Sequence, residues 1–189
     1  DEVWTFDLHD EGTQGIFSVP LKHLSALPLL AKTIKAYLKN TDDVVIASPD
    51  QGGVERGIVF STAFFGRKNE ELVVVEKKRD LENIHKSEAV SIYGDVKDKT
   101  VILVDDIVTL GGTLLNAAEL CLEKGAKRII AAVVHHDFAG GVWKRIQNSK
   151  IEKFFTTDTI MLKEEQSFPK LEEVSIAPLI AEQLKRLSE

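Results

Sequence analysis

The sequence has little cysteine, no excess of basic residues and no long apolar run. One cysteine, Cys121, occurs in 189 residues, so no disulfide can form within the chain and a reducing compartment is expected. The longest apolar runs, such as residues 101–104 and 129–134, are far shorter than the roughly 20 residues of a membrane-spanning helix. Because 24 basic residues oppose 30 acidic ones, for a formal net charge of −6, we expect no nucleic acid and no membrane among its partners.

The chain also lacks a secretory or transit signal at its start. Its first residue is Asp1 rather than Met, and a strand-like run begins almost at once. We therefore expect a piece whose beginning is missing, working in the cytoplasm. Hydrophobic residues make up 43% and charged residues 29%, which is typical of a globular protein and excludes a disordered or coiled-coil chain.

Short apolar runs alternate with helical patterns along the chain. Runs rich in Val and Ile predict strands at residues 3–8, 44–47, 72–75, 100–104, 129–135 and 153–156. Apolar residues at helical spacing predict helices near residues 27–38, 54–65, 114–122 and 177–187. Because short links join strand to helix, the fold class that we predict is α/β, a mostly parallel sheet flanked by helices. Residues 76–88 are the longest segment with neither pattern, and they predict a functional or mobile loop.

A pair of acids and a pair of glycines follow the buried run at 101–104. Asp105 and Asp106 stand at the carboxyl end of that strand, the edge where open α/β sheets bind ligands. Their carboxylates can accept hydrogen bonds from vicinal sugar hydroxyls or face a metal. Gly111 and Gly112 let successive N–H groups turn into one concavity, and the following helix adds its positive end. The motif predicts a phosphate cradle beside a diol clamp, rather than a helix-capping turn alone.

Residues 105–113 resemble the loop that binds phosphoribosyl pyrophosphate (PRPP) in type I phosphoribosyltransferase folds. Further stretches resemble ribose-phosphate diphosphokinases, also called PRPP synthetases, and occur in that family's order. They read Asp-Leu-His at 7–9 with Gln-Gly-Ile-Phe at 14–17, Ser-Pro-Asp-Gln-Gly-Gly-Val-Glu-Arg at 48–56, Gly-Asp-Val-Lys-Asp-Lys at 94–99 and Thr-Asp-Thr-Ile at 157–160. Since ordinary phosphoribosyltransferases share only the PRPP loop, the resemblance is to this family over nearly the whole chain.

That family is built from two similar halves. The resemblance implies that residues 1–24 are the final strand and link of an N-terminal half that the chain lacks. Residues 25–189 would then be the C-terminal phosphoribosyltransferase-like domain with the PRPP loop. It also implies a homo-oligomer, and a missing half that carries much of the adenine-binding surface.

The resemblance assigns roles to individual residues. The ribose 5-phosphate and PRPP site would comprise Asp105, Asp106, Thr109, Leu110, Gly111, Gly112 and Thr113. His9 and Asp50 would lie at the Mg2+ that carries ATP, so His9 would also be an ATP-binding residue. Lys77 and Arg79 match the start of the family's catalytic loop, where positive charge stabilises the transferred diphosphate.

Five other side chains carry narrower expectations. Asp7, two residues before His9, is a candidate to orient the His9 ring. Arg56 can reach a phosphate or form a surface ion pair with Glu55 or Glu82. His135 and His136 are expected at a strand-end turn near the site rather than at a zinc, and Cys121 is expected to be a core thiol.

The activity that the resemblance implies is transfer of diphosphate from ATP to ribose 5-phosphate, which makes PRPP and AMP. One alternative is a non-catalytic PRPP-synthetase-associated regulatory subunit that binds phosphorylated ribose. Leu110 favours it, because the family usually has a threonine there that faces the phosphate. The other alternative, a PRPP-consuming phosphoribosyltransferase, should show a base-binding hood, and the sequence has no evident segment for one.

Overall fold

The computed structural model describes residues 2–67, 72–79 and 87–188. For residues 11, 77–79, 87–90 and 188, it describes the backbone but not the side chains. In the described part of the chain, no helix is long and apolar enough to cross a membrane.

Nine strands form two sheets. They are β1 (Val3–Phe6), β2 (Leu21–Leu24), β3 (Val44–Ser48), β4 (Leu72–Arg79), β5 (Ser87–Tyr93), β6 (Thr100–Val108), β7 (Arg128–His136), β8 (Lys153–Thr157) and β9 (Leu171–Val174). β1 and β2 pair in parallel as a small separate sheet. The other strands form one sheet in the order β5-β4-β3-β6-β7-β8-β9, parallel throughout except for the β4–β5 pair.

Helices cover both faces of the large sheet. They are α1 (Leu27–Leu38), α2 (Val54–Phe65), α3 (Gly112–Glu123), α4 (Val142–Asn148) and α5 (Ala177–Ser188). Successive residues of β6 alternate between the faces, so Val101 and Leu103 join the cluster packed on α3 and α4. Ile102 and Val104 join the cluster packed on α1 and α2. A strand buried on both sides reads as an unbroken apolar run, which is the pattern of residues 101–104.

The predicted α/β class, with a mostly parallel sheet and flanking helices, is confirmed. Four predicted helices and six predicted strands occur, with differences at their ends. The predicted loop at 76–88 is wrong at both ends, because residues 76–79 continue β4 and β5 begins at Ser87. These two strands pair antiparallel, and the pairing shifts register between Glu76 and Lys77. The sequence analysis also missed β2, β5, β9 and α4, which are short or lack a continuous apolar run.

Candidate active site

The candidate site lies where the strand order reverses. From β3 the chain continues to β4 on one side of it. From β6, which is adjacent to β3 on its other side, the chain continues in the opposite direction to β7. In open α/β sheets the crevice at the carboxyl ends of such strands binds ligands. A pocket of about 770 Å³ opens there. Its lining includes nearly all the residues predicted from sequence to bind substrate or metal, namely His9, Asp50, Asp105, Asp106, Thr109, Leu110, Gly111, Gly112 and Thr113.

Asp105 and Asp106, hereafter the acid pair, form the floor of this pocket. Both lie in β6, which extends beyond the sequence-predicted end at Val104. Because consecutive strand residues point to opposite faces, the two carboxylates have different surroundings. The Asp106 side chain is 2% exposed and the Asp105 side chain 14%. The Asp106 carboxylate accepts the Ile107 N–H at 2.8 Å, and the Asp105 carboxylate accepts the Asp106 N–H at 3.0 Å.

Arg56, in the first turns of α2, lies against both acids. Its Nη2 is 3.6 Å from Asp105 Oδ1 and its Nη1 is 3.4 Å from Asp106 Oδ2. Contact with the acid pair was not predicted from the sequence, and Glu82, one of the two ion-pair partners considered there, lies outside the described residues. The pKa of Asp105 is raised to about 7, chiefly by burial and also by the charge of Asp106, while Arg56 opposes the rise.

His9 reaches the acid pair from the small sheet. Its Nδ1 is 2.8 Å from Asp106 Oδ2, while its side chain is 75% exposed. A carboxylate beside Nδ1 favours the proton on that nitrogen, which gives Nε2 the lone pair that binds a metal. The residue that orients His9 is thus Asp106, 97 positions away in sequence.

Asp7 does not orient His9, contrary to the expectation. Its strand ends at Phe6, and Asp7 itself has a positive φ of 36° that turns its side chain elsewhere. The Asp7 carboxylate accepts the Ser25 hydroxyl at 2.6 Å and the Ala26 N–H at 2.7 Å, at the start of α1. Burial raises the pKa of Asp7. Asp7 therefore anchors the segment that carries His9, rather than the ring itself.

His135 and His136 are the last two residues of β7 and are engaged within the fold. His135 Nδ1 is 2.7 Å from Thr159 Oγ1, and its Nε2 is 3.0 Å from the Phe6 carbonyl oxygen. His136 is buried, its Nδ1 is 3.1 Å from Thr156 Oγ1, and burial lowers its pKa. His135 thus ties the segment before His9 to the large sheet.

Residues 109–113, hereafter the glycine loop, comprise the link between β6 and α3 and the first two residues of α3. Gly111 has a φ of +69°, a conformation open to glycine at little cost. A Cβ at Gly111 would also lie 2.4 Å from Val142 Cγ2, so α4 packs where a side chain would start. The Leu110 carbonyl accepts a hydrogen bond from Arg145 Nη1 at 2.9 Å, whereas the Leu110 side chain is among the exposed apolar groups. Gly111 and Gly112, which have no side chain, therefore present backbone to the pocket.

Asp50 follows β3 on the opposite wall of the pocket. The Ser48 hydroxyl donates to the Asp50 carbonyl at 2.6 Å, which closes the turn. A Cβ at Gly53 would lie 2.5 Å from Ser48 Oγ, so glycine is required where α2 begins. The turn brings Asp50 and Gly52 to the same pocket as His9.

The donor set suits a magnesium ion that arrives with a phosphate ligand. Among the described residues, no group of three or more His, Cys, Asp or Glu side chains forms a metal cluster. Mg2+ is commonly held by one or two carboxylates and takes its other oxygens from substrate phosphates and water, so Asp50 is a ligand of the usual kind and the His9 imidazole an unusual one. His9 and Asp50 can supply that small protein share.

Lys77 and Arg79, the predicted catalytic residues, are described by their backbone alone. Their backbone belongs to β4, where it runs beyond the carboxyl end of β3, since Val74 pairs with Ser48. Their side chains lie outside the described part of the structure. Their catalytic role remains a prediction.

The chain is similar in sequence to a known domain family and to named enzymes. Residues 23–166 match the family model described as the phosphoribosyl transferase domain. The chain is 36% identical over its full 189 residues to ribose-phosphate pyrophosphokinase of Clostridium acetobutylicum, of which it covers 57%. It is 41% identical over 186 residues to the enzyme of that name from Thermosipho africanus, of which it covers 56%.

Among solved structures, phosphoribosylpyrophosphate synthetase from Mycobacterium smegmatis superposes with a TM-score of 0.85 at 32% identity. The match covers 99% of this chain and 58% of that one. The chain therefore spans little more than half the length of the relatives that it matches.

Proposed function

The chain belongs to the phosphoribosyl transferase domain family, and we propose that it is the catalytic C-terminal half of a ribose-phosphate diphosphokinase. In this proposal residues 25–189 are the catalytic domain and residues 1–24 lead in from an N-terminal half, within a cytoplasmic homo-oligomer. The observation that carries the proposal is the joint presence of the acid pair, the glycine loop, His9 and Asp50 in one pocket.

Ribose 5-phosphate is the substrate that this pocket suits. Asp105 is the acid of the pair with the more accessible side chain, so it is the acceptor for ribose hydroxyls, while Asp106 holds His9 and Arg56. The glycine loop and the first turn of α3 offer N–H groups to the 5-phosphate. A sugar phosphate spanning both would have its anomeric hydroxyl near the wall that carries His9 and Asp50.

ATP is the second substrate. Mg2+ held at His9 and Asp50 would neutralise charge on its phosphates. Transfer then forms a bond from the anomeric oxygen of ribose 5-phosphate to the β-phosphorus of ATP, and the anomeric hydroxyl loses its proton to water. The bond from that phosphorus to the oxygen of AMP breaks, and PRPP and AMP are the products. Lys77 and Arg79 would stabilise charge on the transferred diphosphate.

Release of AMP, measured with and without ribose 5-phosphate, tests the activity. Calorimetric binding of ribose 5-phosphate in the presence of Mg2+ tests the site independently of turnover. Asp105→Asn should weaken that binding by about 1–3 kcal/mol, as expected for a lost charged hydrogen-bond partner. Unchanged affinity in Asp105→Asn would remove the diol-clamp assignment.

Turnover distinguishes the enzyme from a non-catalytic relative, the alternative that Leu110 favours. Lys77→Ala and Arg79→Ala should lower turnover with little change in substrate affinity, if their charges meet the diphosphate mainly in the transition state. Lys78→Ala is the matched control within the same strand and should leave turnover near the wild-type value. Ribose 5-phosphate binding without AMP release, in a chain joined to a complete N-terminal half, would support the non-catalytic alternative.

A further inference from the structure

The carbonyl groups of the glycine loop are engaged by neighbouring segments. The Val108 carbonyl, just before the loop, accepts the Asp137 and Phe138 N–H groups at 3.0 and 3.3 Å. The Gly111 carbonyl accepts the Leu115 N–H at 3.0 Å, which starts α3. Between them, the Leu110 carbonyl accepts its hydrogen bond from Arg145, an exposed residue of α4 that is not part of the pocket lining.

The hydrogen bond from Arg145 sets the direction of one peptide plane. The Leu110–Gly111 peptide is trans, so the Leu110 carbonyl and the Gly111 N–H point in opposite directions. Because the carbonyl points to Arg145 of α4, the Gly111 N–H points away from α4, and Gly111 itself lines the pocket. An anion bound by the loop would meet this N–H.

Gly111 permits this orientation of the Leu110–Gly111 peptide plane and also permits the reversed orientation. Rotation of the peptide plane requires changes mainly in ψ of Leu110 and φ of Gly111, and glycine adopts both signs of φ at similar energy. In the reversed plane the Leu110 carbonyl would face the pocket and repel a phosphate. Leu110 has no hydroxyl to replace the lost donor, so binding at this position depends on the plane alone.

We infer that Arg145 is a positioning residue for phosphate binding, because its guanidinium holds the Leu110–Gly111 peptide with the N–H toward the ligand. The inference rests on the proposed function in that it takes the 5-phosphate of ribose 5-phosphate as the anion. It adds a residue outside the pocket, which acts through the backbone and not by contact with substrate. A cation behind the carbonyl also polarises the peptide and strengthens the N–H as a donor.

Three variants separate this role from general attraction of an anion by positive charge. Arg145→Met keeps the length of the side chain and removes both donor and charge. Arg145→Lys retains both. Lys144→Met removes a charge from the neighbouring exposed position of α4, where Lys144 lies 5.0 Å from the centre of the Trp143 ring.

Calorimetric titration with ribose 5-phosphate, at low and at high potassium chloride, gives the first measurement. Arg145→Met should weaken binding about tenfold, as for one hydrogen bond to a charged ligand, and Arg145→Lys should restore most of the affinity. Lys144→Met should bind as the wild type does. Salt screens distant charges but does not turn a peptide, so the ratio of the Arg145→Met and wild-type dissociation constants should persist at high salt. ATP affinity should remain unchanged in all three variants.

A crystal structure of Arg145→Met decides the mechanism without any ligand. A reversed or disordered Leu110–Gly111 peptide is expected. An unchanged peptide, or a dissociation-constant ratio that approaches one at high salt, would overturn the inference. If the wild type binds neither ribose 5-phosphate nor inorganic phosphate, the proposed function fails, and the peptide geometry in this crystal structure still decides the role of Arg145.

Discussion

The two walls of the pocket are built on different principles. At the acid pair, charged side chains are buried against one another, and each contact depends on the identity of a residue: Asp106 with His9, and Arg56 with both acids. At the glycine loop, two glycines without side chains contribute to the surface, and Leu110 is 62% exposed. Substitution should therefore act through electrostatics at the first wall and through conformation at the second.

The contrast also separates stability from binding. Buried charges are costly unless they are paired, so the acid pair couples function to folding. An exposed loop that offers N–H groups can be altered with little change in folding, provided that its backbone angles survive. Four substitutions test this difference.

Asp106→Ala should give the largest effect. It removes the acceptor of the Ile107 N–H and a contact of both His9 and Arg56, from a residue that is 1% exposed. Loss of one partner from a buried charged network lowers the free energy of unfolding by about 3–5 kcal/mol. Urea denaturation at pH 7 measures it, with Asp42→Ala, at an exposed acid, as the control. Equal stability of Asp106→Ala and wild type would mean that repulsion from Asp105 offsets these contacts.

Gly111→Ala should have the next largest effect, lowering the free energy of unfolding by about 2–3 kcal/mol. The positive φ disfavours any side chain, and the new Cβ would lie 2.4 Å from Val142 Cγ2. Gly112→Ala is a strict control, because a Cβ there meets nothing within 4 Å. Thermal denaturation of the two variants should show a large decrease in the melting temperature only for Gly111→Ala. Similar melting temperatures would show that the loop is not conformationally constrained.

The pH dependence of stability should reveal the raised pKa of Asp105. Its pKa is raised from 3.8 to about 7 in the folded state, so the folded protein holds a proton that the unfolded chain has lost. This contribution is fully present below pH 3.8 and is lost progressively as pH rises from there through 7. Asp105→Asn should therefore gain stability relative to wild type between pH 5 and 8, by about 2 kcal/mol. Parallel stability curves over that range, from urea titrations at several pH values, would contradict the raised pKa.

Leu110→Thr should have the smallest effect, and on binding alone. A hydroxyl facing the 5-phosphate would tighten binding by about 1–2 kcal/mol, while the exposed position should leave the melting temperature nearly unchanged. Leu110→Val, which has the shape of threonine without the hydroxyl, isolates the donor. Calorimetry with ribose 5-phosphate compares the two. If Leu110→Thr binds no better than Leu110→Val, the loop has been adapted to another ligand and the regulatory alternative gains support.

The large sheet and most of its helices were predictable because apolar runs and helical spacing are both local signals. The apolar run at 101–104 and the helical spacing of α1 are properties of neighbouring residues, and both elements occur. The edge strands β5 and β9 were not predictable in this way. The side chains of β9 are only partly buried or exposed, so it lacks the apolar run that marks a central strand.

The composition of the pocket was largely predictable, but its internal contacts were not. Motifs placed His9, Asp50 and the residues from Asp105 to Thr113 at strand ends, and parallel strands bring such ends to one edge. The pairing of His9 with Asp106, the position of Arg56 and the support from Arg145 depend on tertiary geometry between distant residues. The expectation for Asp7 was wrong because this residue has a positive φ, which has no signature in a single sequence.

The ties between the N-terminal segment and the large sheet have a consequence for the order of folding. His9 meets Asp106 across 97 positions and His135 meets Phe6 across 129, so both contacts close very long loops of chain. Contacts of such separation form slowly and require that the intervening strands be in place. We therefore expect β6, β7 and β8 to assemble before His9 reaches the acid pair. During synthesis His9 would emerge well before Asp106, so its partner would be in place only once β6 is formed.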